Sequence, residues 1–219
     1  MTLELYAHPF SSYSQKVFIA FHENDTPFTL RMLDQDNPAN GAELATLWPL
    51  RRFPVLIDGA HTILESSAII EHLTAHHPGP AALIPAEADA AVQTRMMDRI
   101  FDNYVMTPMQ KIVADSLRPE ADRDPYGVAE AGRTLYTVYG WLDRRMATRT
   151  WATGDGFDMA DCAAAPSLFF ADWVHEIDAK FEHLRAYRAR LLARPSVVRA
   201  VDGARPYRAF FPLGAPDRD

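Results

Sequence analysis

The feature that most constrains this chain is a change of hydrophobic period near residue 80. Before it, short alternating apolar runs are separated by turn residues; after it, apolar residues recur at helical spacing. Between them lies a Pro/Gly/Ala stretch, 79–86, that reads as a linker. Alternation belongs to half-buried strands and a period of 3.6 to helices. The chain therefore divides into a mixed α/β domain at 1–78 and an all-α domain at 87–219. Its 219 residues, 48% hydrophobic, are enough for two cores.

In the first part, residues 3–7 (Leu-Glu-Leu-Tyr-Ala) alternate until Pro9, 12–23 form an unbroken helical run, and 28–33 alternate again. Residues 34–41, rich in Asp, Asn, Pro and Gly, read as a loop. Phe53-Pro-Val-Leu-Ile57, Asp58-Gly59 and His61-Thr-Ile-Leu64 have the pattern of a hairpin with a tight turn. A helix from Glu65-Ser66 follows, stopped by Pro78-Gly79-Pro80. The expected order is βαβ, helix, ββα. In the second part, Val92, Met96, Ile100 and Tyr104 are spaced by four, with Arg95, Asp98, Arg99 and Asp102 between, which predicts an amphipathic helix. Leu135, Val138, Tyr139, Leu142 and Met146 predict a second, and Leu184, Tyr187 and Leu191 a third. Tyr104, Tyr136, Tyr139, Trp141, Phe169, Phe170 and Trp173 are expected in the core.

A net charge of -7 disfavours a nucleic-acid partner, because phosphate recognition needs a basic face. The single cysteine, Cys162, allows no internal disulfide and suits a reducing compartment. No Cys/His cluster has metal-ligand spacing, so no metal is expected, and the His76-His77 pair reads as a C-terminal cap of its helix. No run of about 18 apolar residues occurs and no basic segment leads into one, so the expectation is a cytoplasmic protein without a membrane partner.

Three short constellations could carry chemistry. Phe53-Pro54 opens a strand; a trans proline is common there, whereas a cis bond would aim the Phe53 backbone outward to pair with an extended peptide. Glu65-Ser66 starts a helix, where a hydroxyl and free N–H groups favour a carboxylate and Glu65 can accept from an amine; a plain N-cap is the alternative. Ser11, in Phe10-Ser11-Ser12-Tyr13, sits beside the positive end of a helix, where anions are stabilised; capping is again the alternative. No serine lies in a Gly-x-Ser-x-Gly elbow.

Taken in this order and spacing, these features resemble the cytosolic glutathione transferases over essentially the whole chain. Phe53-Pro54-Val-Leu, then eight residues, then Glu65-Ser66-Ser-Ala-Ile69 is similar to that family's cis-proline strand and glutathione-binding turn. Gly154 to Pro166, with Asp158 and Asp161, resembles its N-capping box and buried helix, and Arg194-Pro195-Ser-Val197 also matches. The resemblance implies a thioredoxin-like first domain followed by an all-helical domain. It implies glutathione as co-substrate, with the γ-glutamyl end at Glu65 and Ser66, the cysteinyl unit on the backbone at Phe53 and Pro54, and the sulfur at Ser11 as catalytic residue. It also implies a homodimer, a detoxification role, and a pocket for a small apolar electrophile from Phe10, Tyr13, Tyr104, Met106 and Pro108. Where the family often has Asn-Pro-x-Gly-Lys, this chain has Trp48-Pro49-Leu50-Arg51-Arg52, so Arg52, or Arg51, takes the place of the lysine at the glycyl carboxylate.

Serine is no base at neutral pH, so the implied role of Ser11 is to donate its O–H to the glutathione sulfur. A hydrogen bond to a charged group is worth about 1.5–3 kcal/mol, equivalent to a thiol pKa lower by roughly one to two units. Tyr13 is the rival donor. The Ser11-Ser12 pair is similar to the zeta and theta classes, and the absence of cysteine at this site disfavours the classes that form mixed disulfides. Transfer, peroxide or disulfide reduction, dehalogenation and isomerisation all suit such a site. So does a non-catalytic member that binds glutathione or a protein.

Overall fold

The computed structural model describes residues 3–218. Leu3–Ala7 (β1), Phe28–Met32 (β2), Val55–Asp58 (β3) and His61–Leu64 (β4) form one sheet in the order β2-β1-β3-β4. β1 runs parallel to β2, with Leu5 opposite Leu30, and antiparallel to β3, with Leu5 opposite Leu56. Parallel neighbours need a crossover, which Ser12–Glu23 (α1) provides. β3 and β4 are joined at Asp58-Gly59, where Gly59 takes φ +59°.

Alternation along β1 and β3 assigns the two faces of the sheet. Leu3, Leu5, Ala7 and Leu56 join the main core beneath α1 and Ser66–His76 (α3), while Tyr6 and Val55 point the other way and pack on Leu44 of Pro38–Leu47 (α2). The loop expected at 34–41 is thus shorter than its composition implied. Pro38 sits in the first turn of α2, where its missing N–H costs no hydrogen bond, and Asn40 and Gly41 are carried along in the helix.

The helical domain comprises Ala88–Ile100 (α4), a wide π-helical turn at Phe101–Met106, Thr107–Ser116 (α5), Pro125–Met146 (α6), Met159–Val174 (α7), Glu182–Leu192 (α8) and Pro195–Ala204 (α9). Its axis is α7, buried from Met159 to Trp173. The box that starts α7 is complete: the Asp158 carboxylate accepts from the Ala160 N–H at 2.8 Å, and Asp161 accepts from the Asp158 N–H at 3.0 Å. Asp161 also accepts from the Tyr187 hydroxyl at 2.5 Å, which pins α8 to the same turn. Burial nevertheless pushes the Asp161 carboxyl up to about 7. Small residues at Ala160 and Ala163–Ala165 let α1 and α4 pack closely on this helix.

The stripes of α6 and α8 face the core as expected. The stripe of the first long helix does not. Val92, Met96 and Tyr104 are exposed, and the buried face carries Ala91, Thr94, Met97, Asp98, Phe101, Asp102 and Val105 instead. Both faces of this helix are partly apolar, so spacing alone could not choose between them. Asp98 and Asp102 enter the interior because a cation is waiting there: Lys16 of α1, fully buried, places Nζ 2.5 Å from Asp98 Oδ1 and 2.8 Å from Asp102 Oδ2, and donates to Ser67 Oγ at 2.8 Å. Arg99 Nη2 adds contacts of 2.6 Å to each carboxylate. Of the aromatic residues expected in the core, Tyr139, Phe169, Phe170 and Trp173 are buried, while Tyr104, Tyr136 and Trp141 are on the surface.

Two further contacts bind the domains. Arg194 forms a two-pronged pair with Glu23, Nε to Oε1 at 2.7 Å and Nη2 to Oε2 at 2.5 Å, its guanidinium 4.0 Å from the Phe157 ring centroid. In the 79–86 stretch Leu83 is fully buried and its carbonyl accepts from the Met159 N–H, so the connection is anchored at the start of α7.

Candidate functional site

One concavity lies where the sheet's β1 and β3 ends meet α4 and the π turn. It encloses about 540 Å³. Ser11 and Tyr13 line it from the start of α1, Arg51, Arg52, Phe53 and Pro54 from the approach to β3, Glu65 and Ser66 from the start of α3, and Arg99, Asp102, Asn103 and Gln110 from the helical domain.

Each contributing segment has a local reason for its shape. The Phe53-Pro54 peptide is cis, and Pro54 precedes the ladder rather than interrupting it. Arg51, standing where the resembled motif has glycine, adopts φ +51°, so the loop keeps a left-handed residue there despite the Cβ. Such a conformation costs about 1 kcal/mol or more for a non-glycine residue. Glu65 is a second outlier, with φ +68° and ψ 125°, and its carboxylate makes no capping bond to α3. Glu65 lines the cavity and makes no bond to the helix it precedes, so plain N-capping does not describe it. Ser66, buried at the first turn of α3, stands beside that helix's free N–H groups.

Ser11 does cap its helix: Oγ accepts from the Ser14 N–H at 3.4 Å. Capping uses an oxygen lone pair and leaves the hydroxyl proton to donate elsewhere. Capping and ligand contact, set as alternatives in the sequence, are therefore compatible. Tyr13 is mostly buried, and its phenol is pushed up to about 12, first by desolvation and then by the negative charge of Asp102, partly offset by a hydrogen bond with Thr107. At neutral pH it is a neutral O–H donor. Asp102 itself is raised above the usual carboxylate range by burial, against the pull of Lys16.

A second cavity of about 640 Å³ adjoins the first and shares Ser11, Arg52 and Gln110 with it. Its walls are Phe10 and Ser12, Thr107, Met109 and Val113 of α5 with Leu117 just past its end, Phe170 of α7, and Phe210-Phe211-Pro212 near the C-terminus. Phe10 is where the sequence places it. Tyr13 belongs to the first cavity instead. Tyr104, Met106 and Pro108 line neither: Tyr104 is 54% exposed and faces a shallow groove against α6, Met106 is fully buried, and Pro108 lies in the core face of α5. The resemblance placed these three at the pocket, but Tyr104 continues the exposed stripe of Val92 and Met96 while Met106 and Pro108 face the interior. What the sequence missed is the wall formed by Arg99, Asp102, Asn103 and Gln110 and the C-terminal Phe210-Phe211; an Asp98/Asp102 pair four apart on an otherwise amphipathic helix was the available hint.

Together the sheet with α1–α3 and the later helices α4–α9 define a two-domain protein with a thioredoxin-like first half and an all-α second half. The chain belongs to the glutathione S-transferase family. Residues 5–81 match the model of the glutathione S-transferase N-terminal domain and residues 125–190 that of the C-terminal domain. It is 35% identical to human glutathione S-transferase theta-1 over 77% of this chain and 72% of that one. It is 28% identical to FtsZ-localized protein A of Caulobacter vibrioides over 87% of each. Among solved structures, a glutathione S-transferase of Methylobacterium radiotolerans in complex with glutathione sulfonate superposes with a TM-score of 0.79 at 26% identity, covering 92% of this chain and 95% of that one.

Proposed function

We propose that this protein binds glutathione in the first cavity and activates its thiol for attack on a small apolar electrophile held in the second. The observation that carries this reading is the position of Ser11. It is on the wall of both cavities, so a sulfur hydrogen-bonded to its hydroxyl faces the electrophile from the glutathione side.

The γ-glutamyl carboxylate goes to Ser66 and the N-terminus of α3, and its ammonium to the Glu65 carboxylate, with Asp102 as a second anion on the same cavity. The cysteinyl unit pairs with the Phe53 backbone ahead of the cis-proline. The glycyl carboxylate goes to Arg52, with Arg51 as its neighbour. Ser11 donates to the sulfur, assisted by the positive end of α1, and Tyr13 is a reserve donor in the same cavity. The thiolate's electron pair forms the new C–S bond. A leaving group departs with its own pair, or an adduct takes up a proton. Phe10, Met109, Val113, Phe170 and Phe211 give the electrophile an apolar, partly aromatic surface that favours poorly soluble compounds.

The match to a relative named as FtsZ-localized supports a second reading, a family member that binds glutathione or a protein without turnover. The deciding experiment is a panel of aryl halides, epoxides, unsaturated carbonyls, peroxides and mixed disulfides assayed with glutathione, comparing wild type with Ser11→Ala. Turnover lost in the variant supports the proposal. No turnover together with measurable glutathione binding favours the second reading, and no glutathione binding at millimolar concentration refutes both the ligand and the mechanism.

A further inference from the structure

At the end of the first domain away from the cleft, three side chains from two elements converge on one point. His72 Nε2 lies 2.9 Å and His77 Nε2 2.7 Å from the same carboxylate oxygen, Asp58 Oδ2. Asp58 closes β3 beside the hairpin turn, His72 lies in α3, and His77 is the residue that ends α3. The sequence pointed instead to a helix cap at His76-His77 and to no ligand cluster, because the spacing of the histidines does not reveal the aspartate that the hairpin brings to them.

We infer that Asp58, His72 and His77 form a binding site for a divalent transition-metal ion of the zinc class. All three ligand atoms lie within 4.8 Å of one another. A tetrahedral ion with bonds of about 2.0–2.1 Å holds its ligand atoms roughly 3.3 Å apart, so the two Asp58–histidine distances of 2.9 and 2.7 Å have to lengthen by about half an ångström. His77 can make that adjustment, since it sits at the helix end, whereas Asp58 in the ladder and His72 within the helix are fixed by their backbones. The side chains of Asp58 and His72 are 16% and 13% exposed, held in place yet reachable. Two imidazoles and one carboxylate are a nitrogen-rich set that suits zinc, nickel or copper better than the oxygen-seeking calcium or magnesium.

Each imidazole faces Asp58 through Nε2, and a bound cation takes the place of these direct contacts between the three side chains. Water fills the fourth position, and His76, whose ring centroid is 4.5 Å from that of His72, is the nearest side chain able to replace it. Three ligands and an open position make a site distinct from the glutathione cleft, since His72 lies six residues, or about 9 Å, along α3 from Ser66. Occupancy ties the β3–β4 hairpin to the helix whose other end carries Glu65 and Ser66.

The test is calorimetric titration of chelator-stripped full-length protein with zinc, repeated with cobalt under visible spectroscopy. One zinc per chain at micromolar affinity or tighter is expected, with a raised melting temperature and the intense visible absorption of tetrahedral cobalt. Asp58→Asn and the double variant His72→Gln/His77→Gln should weaken zinc at least about tenfold and abolish the cobalt bands, with glutathione affinity unchanged. His77→Gln alone, at a helix end, reports the same loss should the double variant fold poorly by circular dichroism. Wild type that binds no zinc, or no more than the variants do, overturns the inference.

Discussion

Replacing Lys16 with methionine is the sharpest test of how the two domains are joined. The ammonium is fully buried; it donates to Asp102 Oδ2 and Ser67 Oγ at 2.8 Å and forms an ion pair with Asp98 Oδ1 at 2.5 Å. Methionine fills much the same volume but leaves two buried carboxylates against one remaining cation, Arg99, whose side chain is about half exposed. Removing one partner of a buried pair costs about 3–5 kcal/mol; partial compensation by Arg99 places this site near the lower end, about 3 kcal/mol. For a chain of this size that is a melting temperature lower by roughly 6–12 °C. The loss also has a defined pH dependence. Asp102 already titrates above the ordinary carboxylate range because of burial, and losing Lys16 removes the main influence that lowers it. A carboxyl raised in the folded state is most favourable when protonated, so the penalty should be full at neutral pH and shrink as pH falls through the raised pKa toward the unfolded value near 4. Urea unfolding of Lys16→Met and of Lys16→Met/Asp102→Asn from pH 5 to 8 measures both effects. The double variant, with one anion and one cation left, should regain at least half of the loss. A loss under about 1 kcal/mol, or no rescue by Asp102→Asn, would show that this network does not hold the domains together.

Ser11→Ala should raise the pKa of bound glutathione by about one to two units, read from thiolate ultraviolet absorbance against pH. From a thiol near 8.5, about 3% ionised at pH 7, the serine brings the thiolate to between about a quarter and three quarters, so the variant should react roughly 8- to 25-fold more slowly at pH 7 and approach wild type in alkali; an unmoved pKa rejects the assigned role. Asp161 is raised to about 7 by burial, so its contribution should be full below about pH 4, fall as pH rises from there to about 7 and level off above it, a slope that Asp161→Asn should abolish in thermal melts from pH 4.5 to 8.5. The exposed stripe of Val92, Met96 and Tyr104 should cover a second copy of the chain, so light scattering should show a dimer that Met96→Asp/Tyr104→Asp converts to monomer; an unchanged mass places any interface elsewhere.

The sequence by itself carried whatever depends on neighbours in the chain. The period change near residue 80 separated the α/β and all-α halves, Asp58-Gly59 marked the hairpin, and Asp158 with Asp161 marked the cap of the buried helix. Ser11, Phe53, Pro54, Glu65 and Ser66, which line the first cavity, stand out in the sequence because turns and helix starts have short-range chemical signatures. Tertiary structure alone decided which residues meet. Two apolar stripes competed on α4, and the choice fell to the one carrying Asp98 and Asp102, because Lys16, more than 80 residues earlier, neutralises them inside. Along the π turn and α5, the cavities are lined by Asp102, Asn103, Thr107, Met109 and Gln110 rather than by Tyr104, Met106 and Pro108. The same limit applied to Asp58, His72 and His77, for which spacing along the chain says nothing about a shared point in space. Local patterns record backbone preference, whereas ligand walls and buried charges are settled by which distant group supplies the compensating charge or volume.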